Sequence, residues 1–126
     1  MRGMSADPYS GRVRALFEHP VHAGSLEQAP QVLIEDQGVR IALTAQAEDG
    51  RIRAFRFRAY GCPHVVAAAE ALCERYEGRP VAELEAFEAV DLVRDLPVPA
   101  EKTGRILVIE DAARSLGKTL RDVSGS

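Results

Sequence analysis

Two consecutive runs with a period of two, joined by a turn signal, set the frame of this chain. Val39, Ile41, Leu43 and Ala45 alternate with Arg40, Ala42, Thr44 and Gln46, the pattern of a strand with one buried face. Glu48-Asp49-Gly50 reads as a hairpin turn into residues 51–60. There Phe55, Phe57 and Ala59 share one face, and Arg56, Arg58 and Tyr60 share the other. Ile52 and Ala54 have the opposite parity to Phe55, which predicts a bulge or edge shift near residue 54. The arginine face is expected to be a solvated sheet face.

The flanking segments complete the frame. Residues 31–35 are a short strand candidate, and Asp36-Gln37-Gly38 is a turn-like break before Val39. Upstream, Ser10 is an N-cap candidate, and Val13, Leu16 and Phe17 form a stripe at helical spacing that Pro20 and Gly24 end. Downstream, Pro63 suits a first helical position. Val65, Val66, Ala69, Leu72, Cys73 and Tyr76 follow as a helical stripe until Gly78. Pro80 or the residue before it opens a short helix carrying Val81, Leu84 and Phe87, and residues 91–96 are a candidate for another turn or two before Pro97-Val98-Pro99. Thr103 then caps a last helix with Ile106, Ile109, Ala113, Leu116 and Leu120 on one stripe. Hairpin-joined strands followed by a block of helices predict an α+β fold, a three-stranded antiparallel sheet with helices packed on one face.

A chain of 126 residues with 46 % hydrophobic and 28 % charged residues fits one soluble globular domain, with an ordered core expected over about residues 9–121. A net charge of -3 gives no general attraction to nucleic acid or to an anionic membrane. No apolar run is long enough to span a bilayer and no export signal opens the chain, so a cytoplasmic location is expected. There the two cysteines should be free thiols.

Cys62 is the residue with the clearest claim to chemistry. It stands where Ala59-Tyr60-Gly61 ends a strand and Pro63 begins a helix, beside backbone N–H groups without intrahelical partners. Such a place favours a thiolate, the form that binds soft metals and attacks sulfur. Cys73, on the apolar stripe, reads as a small buried hydrophobe. His64 either lowers the Cys62 thiol pKa, ligates iron, or is a solvent-facing residue of the first helical turn. Cys62-Pro63-His64 opens like a C-P-H-C redox motif, but Val65 occupies the resolving position. His19 and His22 flank a loop proline and read as loop residues.

Tyr9-Ser10 with Val13, then His19-Pro20 and Gly24-Ser25, resembles the opening of the IscU/NifU-type iron–sulfur scaffold family, where a Tyr-Ser helix leads to an N-P-x-N-x-G loop. Phe57-Arg58-Ala59-Tyr60-Gly61-Cys62 resembles its F-K-T-Y-G-C segment. Leu96-Pro97, Lys102 and Glu110-Asp111-Ala112 resemble its tail, where L-P-P-V-K precedes a cysteine and a helix containing E-D-A. The likeness runs from about Tyr9 to Leu120.

The resemblance implies an IscU/SufE-like fold and a role as a scaffold or carrier rather than an enzyme. In the family three cysteines and an aspartate or histidine surround a nascent [2Fe–2S] cluster or a zinc ion. Cys62 matches the middle cysteine. Asp36 falls at the first, Gly38 at the family's aspartate, and Gly104 or Arg105 at the last. With one thiolate and the Asp36 carboxylate, iron or a [2Fe–2S] cluster would be held weakly or transiently, and zinc is not expected. Asp36 either replaces a lost thiolate or simply builds the turn. Arg105 and Lys102 would stabilise a thiolate or persulfide at Cys62. The implied partners are a cysteine desulfurase and a chaperone. SufE-type sulfur acceptors, similar in fold, work with a single acceptor cysteine and supply a second reading, and an adaptor that binds the desulfurase supplies a third.

Overall fold

The computed structural model describes residues 11–36, 38–61, 63–95 and 103–124. Cys62, Lys102, the Ser10 cap and the Leu96-Pro97-Val98-Pro99 segment lie outside the described residues. The elements run α1 (Gly11–Glu18), β1 (Gln31–Asp36), β2 (Val39–Glu48), β3 (Arg51–Tyr60), α2 (Pro63–Tyr76), α3 (Val81–Glu85), α4 (Ala89–Asp95) and α5 (Thr103–Ser124). The sheet has the order β1-β2-β3, antiparallel throughout. This is the expected α+β architecture.

Register explains the side-chain parity. Gln46 pairs with Ala54 but Ala47 pairs with Ile52, so Arg53 is the extra residue of a bulge. The bulge returns Ile52 to the inner face, where it is fully buried with Phe55, Ile41, Leu43 and Ala45. α2 and α5 cover this face. α2 is buried around most of its circumference because Ala67, Ala68, Ala69 and Ala71 let neighbouring elements approach closely.

Two departures from the expected helices have local causes. Phe87 lies just beyond α3, yet it is buried and meets Tyr76 edge-to-face at 5.6 Å between ring centroids. α4 starts at Ala89, earlier than expected, because the Glu110 carboxylate accepts its backbone N–H at 2.7 Å.

The direction of α5 matters for the site. Arg121 pairs with Glu85 at 2.5 Å, and Leu120 and Val123 share a cleft with Gln46, Glu48 and Arg53 at the β2–β3 hairpin end. α5 therefore ends at that hairpin. Its 22 residues cover about the length of the ten-residue strands, so its first turn lies toward the opposite end of the sheet.

Candidate functional site

That opposite end gathers the segments that the sequence singled out. Asp36 pairs with Val39 to close the β1–β2 hairpin, and Gly38 supplies the left-handed backbone, φ 73°, that the tight turn requires. Arg40 pairs with Tyr60, the last residue of β3. Gly61 then packs under the hairpin: a Cβ placed on it would stand 3.6 Å from the Val39 and Val65 side chains. Glu35, Gly38, Val39, Arg40, Tyr60 and Gly61 line one cleft of about 490 Å³. Glu35 and Arg40 form an ion pair of 2.9 Å at its rim, and Tyr60 is 61 % exposed. Cys62 follows Gly61 directly and precedes the first residue of α2.

The remaining candidates distribute as follows. Asp36 is exposed at the hairpin, in the turn-building position. Gly104 is exposed and Arg105 half-buried in the first turn of α5, toward this end of the sheet. His64 requires a correction. It is 5 % exposed rather than solvent-facing, because α2 is enclosed on almost every side from its first turn onward. Cys73 is a free thiol with no exposure. Burial, with the nearby Glu70 and Glu77 carboxylates, pushes its pKa well above the usual thiol value. Among the described residues no three His, Cys, Asp or Glu side chains come together as a metal-binding group.

Sequence reasoning missed a second cluster. His22 is a loop residue as expected, yet its ring lies between Glu70 of α2 and Glu77, the residue that follows α2. The available signal was Glu70 itself, since a carboxylate in an Ala-rich helical stripe needs a buried partner. The arginine face also differs from expectation at Arg56, which is half-buried and ion-paired with Glu77 at 2.9 Å.

A leading helix, a three-stranded antiparallel sheet and a cleft at the β3–α2 junction define an α+β protein with its candidate site at one end of the sheet. The NifU-like N terminal domain family matches residues 8–118. The chain belongs to this family of IscU-like iron–sulfur cluster assembly scaffolds. The iron–sulfur cluster assembly scaffold protein IscU of Azotobacter vinelandii is 26 % identical over 125 residues, covering 93 % of this chain and 97 % of that protein. Its counterpart from Escherichia coli K12 is 25 % identical over 114 residues, covering 85 % and 89 %. The fold is also that of the crystal structure of a nitrogen-fixing NifU-like protein (N-terminal) from Brucella abortus. That structure gives a TM-score of 0.69 at 16 % identity, over 90 % of this chain and 94 % of that one. Among the described residues no helix is long and apolar enough to cross a membrane.

Proposed function

We propose that this chain is a divergent, scaffold-like carrier in iron–sulfur cluster assembly that handles iron and/or sulfur through Cys62. The observation that carries the reading is the packing of the β1–β2 hairpin on Gly61. It brings the turn of Asp36 and the residue before Cys62 to one open cleft. In this reading the start of α2 favours the Cys62 thiolate. Asp36 offers a carboxylate, His64 is a further donor, and Arg105 and Lys102 offset negative charge at the sulfur. One thiolate with one carboxylate falls short of the four or so ligands that a cluster needs, so the cargo is held weakly or transiently.

A second reading, a single-cysteine persulfide acceptor, is favoured by the burial of Cys73, which leaves Cys62 as the thiol to receive sulfur. The Cys62 thiolate would attack the terminal sulfur of a persulfide on a cysteine desulfurase. The desulfurase S–S bond breaks, its thiolate leaves, and a persulfide forms on Cys62. The chain serves here as acceptor, with the desulfurase as the enzyme.

Incubation with a cysteine desulfurase and cysteine, followed by mass spectrometry, tests the second reading, and anaerobic reconstitution with iron and sulfide tests the first. A sulfur adduct on Cys62, lost in Cys62→Ser, is expected under the second. A visible absorbing cluster after anaerobic reconstitution with iron and sulfide, also lost in Cys62→Ser, is expected under the first. Neither signal, with desulfurase binding unchanged in Cys62→Ser, would replace both readings with a non-catalytic adaptor.

A further inference from the structure

Glu70 is 1 % exposed inside an Ala-rich helix, and a carboxylate so placed must be matched by donors. His22 supplies them. Its backbone N–H donates to Glu70 Oε1 at 2.8 Å, and its Nδ1 stands 2.6 Å from Glu70 Oε2. On the other side of the ring, Nε2 lies 3.2 Å from Glu77 Oε1. The second Glu77 oxygen accepts from the Phe55 backbone N–H and from Arg56, each at 2.9 Å. A ring held between two carboxylates has one protonation state that satisfies both contacts, because only the imidazolium donates from both nitrogens.

The same residue fastens the chain to the sheet. Phe57 N–H donates to the His22 carbonyl at 3.0 Å and Gly24 N–H to the Phe57 carbonyl at 2.7 Å. Residues 22–24 thus form a strap along the outer edge of β3, opposite β2. Pro20, Gly24, Phe57, Tyr60 and Val66 border a groove of about 310 Å³ beneath it. Tyr60 also lines the cleft beside Gly61.

We propose that the His22 imidazolium is a proton-controlled latch that holds residues 22–24 on the β3 edge, and that its deprotonation frees this strap. With the proton gone, one nitrogen of the ring becomes an acceptor facing a carboxylate, and buried Glu70 loses its counter-cation. The strap then keeps its two backbone hydrogen bonds with Phe57 and the His22 N–H bond to Glu70, but loses the charged contacts of the ring. Freeing it opens the groove at its Tyr60 end. The latch does not depend on what Cys62 carries.

The surrounding charges favour the protonated ring. Burial works to lower the His22 pKa, but the hydrogen bonds and charges of Glu70 and Glu77 outweigh it and raise the pKa above the usual 6.5. Arg56 of β3 is engaged with Glu77, and Arg58 is exposed two residues along. Glu18 of α1 is paired with Arg14 at 3.1 Å. Cys73 of α2 is kept neutral by burial.

Amide hydrogen exchange, scaled for the intrinsic pH dependence of the chemistry, tests the latch between about pH 6 and 8.5. Protection of Gly24 and Phe57 is expected to fall about tenfold as pH rises through the His22 titration, while amides of β2 stay constant. His22→Asn should show low protection at these two amides with no pH step. Glu77→Gln should move the step to lower pH. A wild-type protection that stays flat across this range overturns the latch. So does a pH step that persists in His22→Asn. If His22→Asn does not fold, the wild-type titration and the Glu77→Gln shift decide between the same outcomes.

Discussion

Gly117 of α5 lies against the backbone of Glu85 in α3: a Cβ placed on it would stand 2.6 Å from the Glu85 nitrogen and 2.8 Å from its Cα. Two effects oppose each other in Gly117→Ala. Alanine is the better helix former by about 1 kcal/mol, whereas the clash with backbone forces the two helices apart. Overpacking costs about 1–3 kcal/mol, and backbone cannot rotate away as a flexible side chain would. The variant is therefore expected to lose about 1 kcal/mol net in urea unfolding. A stabilised variant would show that α3 and α5 do not cross this closely.

Glu110 gives the E-D-A segment of α5 a structural role. Its carboxylate accepts the Ala89 N–H, Asp111 is exposed, and Ala112 is fully buried. Three adjacent residues thus serve as cap, solvated surface and core. Glu110→Ala should cost about 1 kcal/mol, the usual worth of a helix cap, and should raise exchange first in the α4 amides. Equal exchange of α4 in the variant and the parent would remove the cap assignment.

Much of this fold is legible in the chain because period and parity carry it. The opposed parity of Ile52 and Phe55 announces the bulge, and Pro63 and Thr103 mark where α2 and α5 begin. The cleft was legible in part. Fragments ending at Gly61 and beginning at Asp36 are far apart in sequence, and only strand register brings the hairpin onto Gly61. The surroundings of His64 and Glu70 were not legible. Local patterns report one buried stripe on a helix, while α2 is packed from several sides. Tertiary enclosure buries His64, for which a solvent-facing place was one reading, and Glu70 with it.

Cys73 should be chemically silent in the native state. With no exposure and a pKa pushed well above the ordinary thiol value, it offers almost no thiolate at neutral pH. In Cys62→Ser, an aromatic disulfide reagent should titrate no thiol until denaturant is added, and one thereafter. A native-state reaction at Cys73 on the timescale of seconds would mean that α2 opens locally.

The stability of the His22–Glu77 contacts should be confined to a pH window, and the sign follows from each partner. For Glu77, burial acts to raise the pKa, but hydrogen bonds from Phe55, His22 and Arg56 outweigh it and hold the carboxyl below its usual 4.5. A depressed carboxylate contributes stability above 4.5 that is lost as pH falls through the folded value. For His22 the pKa is raised above 6.5, so its contribution is complete below 6.5 and lost as pH rises through the folded value. Both are in place between these limits. The difference in urea unfolding free energy between the native sequence and the His22→Asn, Glu77→Gln double variant should be about 1–3 kcal/mol there. It should narrow on the acid and alkaline sides alike. A difference that stays constant from about pH 3.5 to 8.5 would show that the two side chains stabilise through packing alone, with no net contribution from their charges.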